Sequence, residues 1–371
     1  SRNPRRKPPK SRSPRHARTT APKKRSKRQR KSPAFFDEYQ LHALLHSAFH
    51  GTAINPDTGA IAEYKELAQS SDGPHWSASN DEEVGRMFQG LGPNSSVPTG
   101  TDTCVFISRK ELPKGVKPTY IRVVCADRPE KPNPRRVRWT AGGDRVHYPF
   151  NKTTKTADLV TCKLLLNSVI STPGARFMSI DLKDFYLCSD LDVPAYVRIP
   201  VHMLSQRVID HYDLSGKIVN GHVYARVQRG MYGLPQAGRL ANEQLRKFLE
   251  PHGYIPCDVT PGLWRDLNSN LMFSLVVDDF GVRYTDKADV DRLLNVLQKE
   301  YKCSTDWTGS RYVGLTLDWD YANRCVILSM PGYILRVLQR FEHPAPAKPE
   351  YSPHAYTVPN YGAKQQYATI D

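Results

Sequence analysis

Two short apolar strand candidates that each run into aspartate constrain this chain more than any other feature. The first, residues 176–182, leads into the cluster Ser179-Ile180-Asp181-Leu182-Lys183-Asp184-Phe185-Tyr186. The second, residues 271–277, leads into Asp278-Asp279-Phe280. Asp181 and Asp278 stand 97 positions apart, so only a tertiary fold can unite them. The intervening pattern supplies one. A Gly-containing turn at residues 231–238 opens a helix whose apolar face is Ala241, Leu245, Phe248 and Leu249, ending at Gly253. A second strand over residues 280–284 follows the double aspartate. Then comes a helix capped by Thr285 or Asp286, with Val290, Leu293, Leu294, Leu297 and Tyr301 at helical spacing. Strands over residues 311–319 and 325–329 close the series, joined by the polar turn Tyr321-Ala322-Asn323-Arg324. Strand, helix, hairpin, helix, strand is the split βαβ order, an α+β arrangement that sets the end of the first strand beside the hairpin tip.

If Asp181, Asp278 and Asp279 share a small volume they repel one another, and divalent cations relieve that repulsion. Hard carboxylate oxygens suit magnesium, with manganese as the alternative. Two such ions about 3.5–4 Å apart can activate an attacking oxygen and stabilise a leaving one in phosphoryl transfer. An isolated Asp-Asp at a hairpin tip carries little meaning, because aspartate favours turns anyway. Its conjunction with Asp181 is what points to chemistry.

The formal charge of +16 has to be located along the chain before it is used. Residues 1–32 hold 15 Lys or Arg and no Asp or Glu, so the rest of the chain, with 38 bases against 37 acids, is nearly neutral. This arm is rich in Pro and Ser and almost without apolar residues, so it is expected to be disordered. It suits phosphate backbones or a nuclear import receptor, or it is a solvated linker. Residues 33–54 read as a short helix and linker, with His42, His46 and His50 on one helical face. That spacing is able to bind a metal, but no Glu or Cys completes a familiar ligand set. Residues 103–146, β-branched and basic with Pro and Gly turns, read as a small antiparallel strand group, and residues 156–169 read as a helix. After Phe341 the chain turns Pro-rich, and residues 344–371 read as a linker.

Seven scattered cysteines with no Cys-x-x-Cys pair argue for reduced thiols. No apolar run approaches the ~20 residues of a membrane span. With a basic start, no secretory signal and no initiator Met, the expectation is an intracellular piece of a longer chain.

The strings MSIDLKDFYL, RGMYGLPQAGRLANE, FSLVVDDFGVRY and RYVGLTLDWD occur in the order and approximate spacing of the palm motifs of copia-type retrotransposon reverse transcriptases. RRVRWTAGGDRVHYP resembles the finger segment of that family, and EYKELAQSSDGPHWSASNDEEV its opening segment. The resemblance covers about residues 55–343. It implies a right-hand polymerase, with a ferredoxin-like palm at about 176–330 and β-rich fingers at about 100–175. The implied activity is RNA-directed DNA polymerisation, using deoxynucleoside triphosphates, two magnesium ions, an RNA template and a DNA primer/template. Integrase upstream and RNase H downstream, in a longer polyprotein, are implied as well. Localisation would be a cytoplasmic particle, the nucleus or both.

Residue by residue, the resemblance implies that Asp181, Asp278 and Asp279 are the metal-binding catalytic carboxylates. Leu182, Asp184 and Phe185 would border the incoming triphosphate. Tyr186 would be the steric gate that excludes a ribose 2′-hydroxyl. Arg136 and Arg138 would clamp the triphosphate, a task suited to bidentate guanidinium. Tyr232, Gly233 and Gln236 would pack under the nascent base pair, and Tyr312, Val313, Gly314 and Leu315 would form the primer grip. Two departures stand out. Val276 replaces the usual Tyr of the Tyr-x-Asp-Asp form, and Asp184 makes the first motif more negative than in many relatives, which could alter metal affinity or nucleotide selectivity. A decayed or repurposed remnant that binds nucleic acid without catalysis is the competing reading, against which the intact carboxylates argue. Another palm-type nucleotidyltransferase is disfavoured by the 231–238 turn and the finger segment.

Overall fold

A helix seals the free edge of a strand in the N-terminal half, and that arrangement explains why charged residues lie buried there. The computed structural model describes residues 51–334 and residue 337, apart from 54, 58–61 and 129–132. The basic arm, the 33–50 stretch with His42, His46 and His50, and the 344–371 linker lie outside the described residues. Chain contacts divide the sequence into units 1–46 and 47–371, and every described residue belongs to the second.

Strand β1 (Gly51–Thr52) pairs with β3, so the expected helix-and-linker segment ends in a strand. Helices α1 (Tyr64–Leu67) and α2 (Gly73–Met87) follow, then β2 (Cys104–Ile107), β3 (Thr119–Asp127) and β4 (Arg135–Ala141). β3 and β4 are antiparallel, and β4 leaves its other edge unpaired within the sheet. Polar side chains of α2 take up that edge: Ser79 Oγ accepts from Val137 N at 3.2 Å and Glu83 Oε1 from Trp139 N at 3.1 Å. Asn80 accepts the Trp139 indole N–H at 2.8 Å. The buried backbone amides of Val137 and Trp139 are thereby satisfied, as buried amides require.

Helix α3 (Leu159–Ser171) is capped by Asp158, which accepts from Thr161 N, and leads to β5 (Arg176–Leu182). Next come β6 (Asp190–Pro200), α4 (Gln206–His211) and β7 (His222–Arg229). β6 and β7 complete a six-stranded sheet in the order β1-β3-β6-β7-β2, with β4 on β3. The expected small antiparallel strand group is present in the β3–β4 pair but is completed by two later strands: among the described residues β2 pairs with β7 alone, and β3 runs parallel to β6.

Helix α5 (Ala237–Leu249), β8 (Tyr254–Pro256), β9 (Leu263–Asp266), β10 (Met272–Val276), β11 (Asp279–Tyr284), α6 (Lys287–Leu297) and β12 (Cys303–Asp306) build the second sheet. Its order is β12-β5-β11-β10-β9-β8. The split βαβ pattern is present in β5, α5, β10, β11, α6 and β12, with β5 between the last two strands. Its closing strand is β12, however, and not residues 311–319. That stretch breaks at Val313 (φ 42) and Gly314 (φ 79) into β13 (Arg311–Tyr312) and β14 (Leu315–Asp320), which join β15 (Cys325–Ser329) in a separate three-stranded sheet.

Alternation along β5 decides the two faces of the second sheet. Met178, Ile180 and Leu182 enter one core with Leu245 and Leu249 of α5 and Val290, Leu293 and Leu297 of α6. Phe177, on the other face, joins Cys162, Leu165, Leu166 and Val169 of α3 with Tyr312 and Leu317. All seven cysteines are unpaired. Among the described residues no helix is long and apolar enough to cross a membrane.

Candidate active site

Asp181 follows Phe177 and Ser179 on the face that α3 covers, but it lies at the strand end beyond that cover and is exposed. β11 pairs with β5 in the register that sets Asp279 directly opposite Asp181. Residues so paired share a face of the sheet, with Cβ atoms about 4.5–5.5 Å apart. Asp278 is the second residue of a two-residue turn between β10 and β11, and its carbonyl accepts the Leu182 N–H at 3.1 Å. That bond ties the hairpin tip to the end of β5. The first turn residue, Val277, has φ 61. Positive φ is what tight hairpins demand there, but a β-branched residue adopts it under strain.

On the far side of β5, Ser304 pairs with Asp181, and its hydroxyl donates to Asp181 Oδ2 at 3.1 Å. Ser179, Asp181, Asp279, Ser304 and Asp306 surround a pocket of about 150 Å³. Partial burial, then the negative charge of Asp181, pushes the Asp278 carboxyl above its ordinary range. Burial, then Asp278 and Asp181, does the same to Asp279. A cation among these oxygens would relieve that repulsion, and the donor set, all carboxylate, fits magnesium. Among the described residues no three acidic, histidine or cysteine side chains converge into a ready-made metal cage. The backbone register sets Asp181 and Asp279 side by side.

The remaining residues singled out from the sequence divide into three groups. Arg138 lies over the Tyr232 ring at 4.8 Å, and Tyr232 meets the Tyr186 ring edge-on at 5.4 Å. Arg136 is half-buried; burial, then the charges of Arg138 and Arg86, makes its guanidinium easier to deprotonate than usual. The Nε atoms of both arginines are buried without a partner. Gly233, at φ 89, packs against the Ala141 carbonyl where a Cβ would collide, and Tyr232 O accepts from Ala141 N at 2.8 Å. Gln236 is buried with an unpartnered Oε1. Arg136, Arg138, Tyr186, Tyr232, Gly233 and Gln236 are thus drawn together around the junction of β4 with the 231–236 turn.

A second group turns inward. Leu182 and Phe185 are core residues, leaving only their backbone to border a ligand. Tyr312 is buried behind the sheet, where its hydroxyl bonds to Ser274 Oγ at 2.8 Å and Ser274 O at 3.0 Å. Val313, Gly314 and Leu315 form the turn and first residue of the following strand.

Asp184 is the third case, and its surroundings were not legible in the sequence. At φ 57 it accepts an ion pair from Arg86 of α2, which also pairs with Glu83. Burial disfavours the Arg86 charge, but Glu83 and Asp184 outweigh that and hold it firmly protonated. The extra negative charge of the first motif is therefore offset locally. Arg86, Glu83 and Ser304 carried no signal beyond a charged run on α2 and a polar stretch after Tyr301.

The sequence profile of reverse transcriptase (RNA-dependent DNA polymerase) matches residues 145–354, more than half the chain. A putative transposon Ty5-1 protein of Saccharomyces cerevisiae is 26% identical over 166 residues, which is 44% of this chain and 49% of that protein. The chain thus spans about half the length of this curated relative. Together with the split βαβ sheet and its paired aspartates, these matches establish that the chain belongs to the reverse transcriptase family of copia-type retrotransposons.

Proposed function

We propose that this chain is an RNA-directed DNA polymerase that extends a primer on an RNA or DNA template from deoxynucleoside triphosphates. The observation that carries the reading is the register pairing of Asp279 with Asp181, with Asp278 tied to the same strand end. Asp181, Asp278 and Asp279 would hold two magnesium ions, or manganese. When bound, these ions would activate the attacking primer oxygen and offset charge on the triphosphate.

The chain's own groups do the positioning. The half-buried guanidinium groups of Arg136 and Arg138 form no ion pair among the described residues, which suits them to a triphosphate. Tyr186, braced by Tyr232, is the sugar gate. Gly233 and Gln236 support the base pair from below, and backbone near Leu182, Asp184 and Phe185 borders the phosphates. With Tyr312 committed to the core, the grip on the primer falls to the backbone of the 313–315 turn. In this reading the first sheet is the fingers and the second the palm. The rest of a polyprotein, integrase upstream and RNase H downstream, would act with it in a cytoplasmic particle or the nucleus.

Primer extension on an RNA template with magnesium tests the reading. The native chain should extend, and Asp278→Asn should abolish extension while the fold and duplex binding persist. Near-normal extension by Asp278→Asn overturns the assignment.

A further inference from the structure

The edge strand β12 contributes two polar side chains, Ser304 and Asp306, to the pocket that holds Asp181 and Asp279. Residues paired across a sheet share a face. Ser304 pairs with Asp181 and Asp181 with Asp279, so these three form one row over three adjacent strands. Asp306, Ser179 and Gly281 form the row behind it. Cys303, between the rows in sequence, pairs with Leu182 and packs against the opposite core, which fixes the direction of its neighbour Ser304.

The two side chains are used differently. Asp306 is committed to its own chain: it accepts from Thr308 N at 3.0 Å, Ser310 N at 2.8 Å, Arg311 N at 3.2 Å and the Ser310 hydroxyl at 3.0 Å. The loop it gathers anchors one end of β12, and Ser179 Oγ, donating to Arg311 O at 2.9 Å, ties that loop to β5. Lys183 N, donating to Lys302 O at 2.9 Å, anchors the other end. Ser304 thus stands on a short strand held at both ends, and its hydroxyl donates to Asp181 Oδ2 at 3.1 Å. Among the described residues no other side chain bonds to the Asp181 carboxylate. A carboxylate has about four lone-pair sites, so one hydroxyl leaves most of them, including all of Oδ1, for a cation.

We propose that Ser304 is a positioning residue that holds the Asp181 carboxylate in place for the metal ions. The inference rests on the metal-binding role proposed for Asp181. Carboxylates that ligate a metal are themselves hydrogen-bonded, and losing such a partner costs roughly 10–100-fold in metal affinity. Asp181 needs one, because it lies at an exposed strand end where nothing else restrains its rotation. A purely structural role for Ser304 accounts for less: serine pairs strands less well than the β-branched residues, and the hydroxyl is aimed at the carboxylate and not at the backbone. Ser304 and Asp181 are both exposed, so water competes for the bond and the effect belongs at the low end of that range.

The experiment titrates the full chain with manganese alone and follows the free ion by electron paramagnetic resonance. Ser304→Val and Ser304→Thr have the same shape and the same preference for strands, and differ in one hydroxyl. Ser304→Val should weaken manganese binding by about tenfold, whereas Ser304→Thr should retain the native affinity. Equal affinity in the two variants overturns the inference. Asp181→Asn in the same titration tests the reading beneath it. Binding lost in Asp181→Asn but equal in the Val and Thr variants removes Ser304 from the site and leaves the metal assignment standing; binding unchanged in Asp181→Asn overturns both. Primer extension gives a second readout. Ser304→Val should raise the magnesium concentration for half-maximal extension by about tenfold and regain the native rate at saturating magnesium. A rate depressed equally at every magnesium concentration would make Ser304 a structural residue and overturn its positioning role.

Discussion

Arg86 of α2 and Asp184, 98 positions apart, form an ion pair that joins the helix sealing β4 to the turn following β5. Because Glu83 holds the same guanidinium and also accepts the Trp139 N–H, one side chain connects the two sheets' functional segments. The pairing offsets a negative charge three positions from Asp181, the first of the carboxylates proposed to hold metal, without removing it.

Removing that cation should be costly. Arg86→Ala leaves Glu83, almost wholly buried, without its counter-charge, and stability should fall by about 3 kcal/mol in urea denaturation. Arg86→Lys keeps the charge but loses the fork and should fall less. A loss under about 0.5 kcal/mol for Arg86→Ala would show the pair to be solvent-screened in practice.

The strained hairpin tip gives a prediction of opposite sign. Val277 stands at φ 61, where glycine is at ease and a β-branched residue is not. Val277→Gly should raise stability by about 1 kcal/mol, the relief of strain exceeding the added freedom of the unfolded chain. A lower melting temperature for this variant would mean that the turn is held by other means.

Tyr186 is half-buried and braced edge-on by Tyr232. If its ring meets the sugar, Tyr186→Val should raise ribonucleotide incorporation relative to deoxyribonucleotide in single-nucleotide extension. An unchanged ratio with sustained extension would make it a packing residue only.

What could be read in advance follows from locality. β5 is legible because Phe177 to Leu182 alternates between two cores, and α6 because its apolar spacing and the Asp286 cap, which accepts from Ala288 N at 2.9 Å, are contained within a dozen residues. β12 was missed because Cys303-Ser304-Thr305-Asp306 is short and polar, and it becomes a strand only by pairing with β5. β6 and β7 likewise owe their place to partners far away in sequence. In the site, the motif residues Asp181, Asp278 and Asp279 could be named, but the inward turn of Tyr312 could not. It depends on Ser274 and on a glycine, Gly281, that leaves room for the ring. Arg86 and Glu83 look like a solvated helix face until β4 is seen to need the polar side of α2.

Asp266, at the end of β9, carries the last prediction. Its side chain is fully buried and accepts from Asn268 N at 2.9 Å, from Ser269 Oγ at 2.7 Å and from Arg292 of α6. Burial alone would raise its pKa, but these donors together outweigh it and hold the carboxyl below its usual range. A carboxylate with a depressed folded-state pKa contributes stability that is complete above the unfolded value, about 3.9, and lost as pH falls through the folded value. Asp266→Asn should therefore cost about 1.5–3 kcal/mol at neutral pH, where a charge-assisted bond to Arg292 is lost. The difference between native and variant chains should shrink below about pH 4, where the unfolded chain's carboxyl takes up a proton, and be gone once the folded carboxyl is protonated too and resembles the amide. Denaturation midpoints across an acid series measure both. A penalty that persists undiminished in acid would assign the loss to packing of the amide and not to the ion pair.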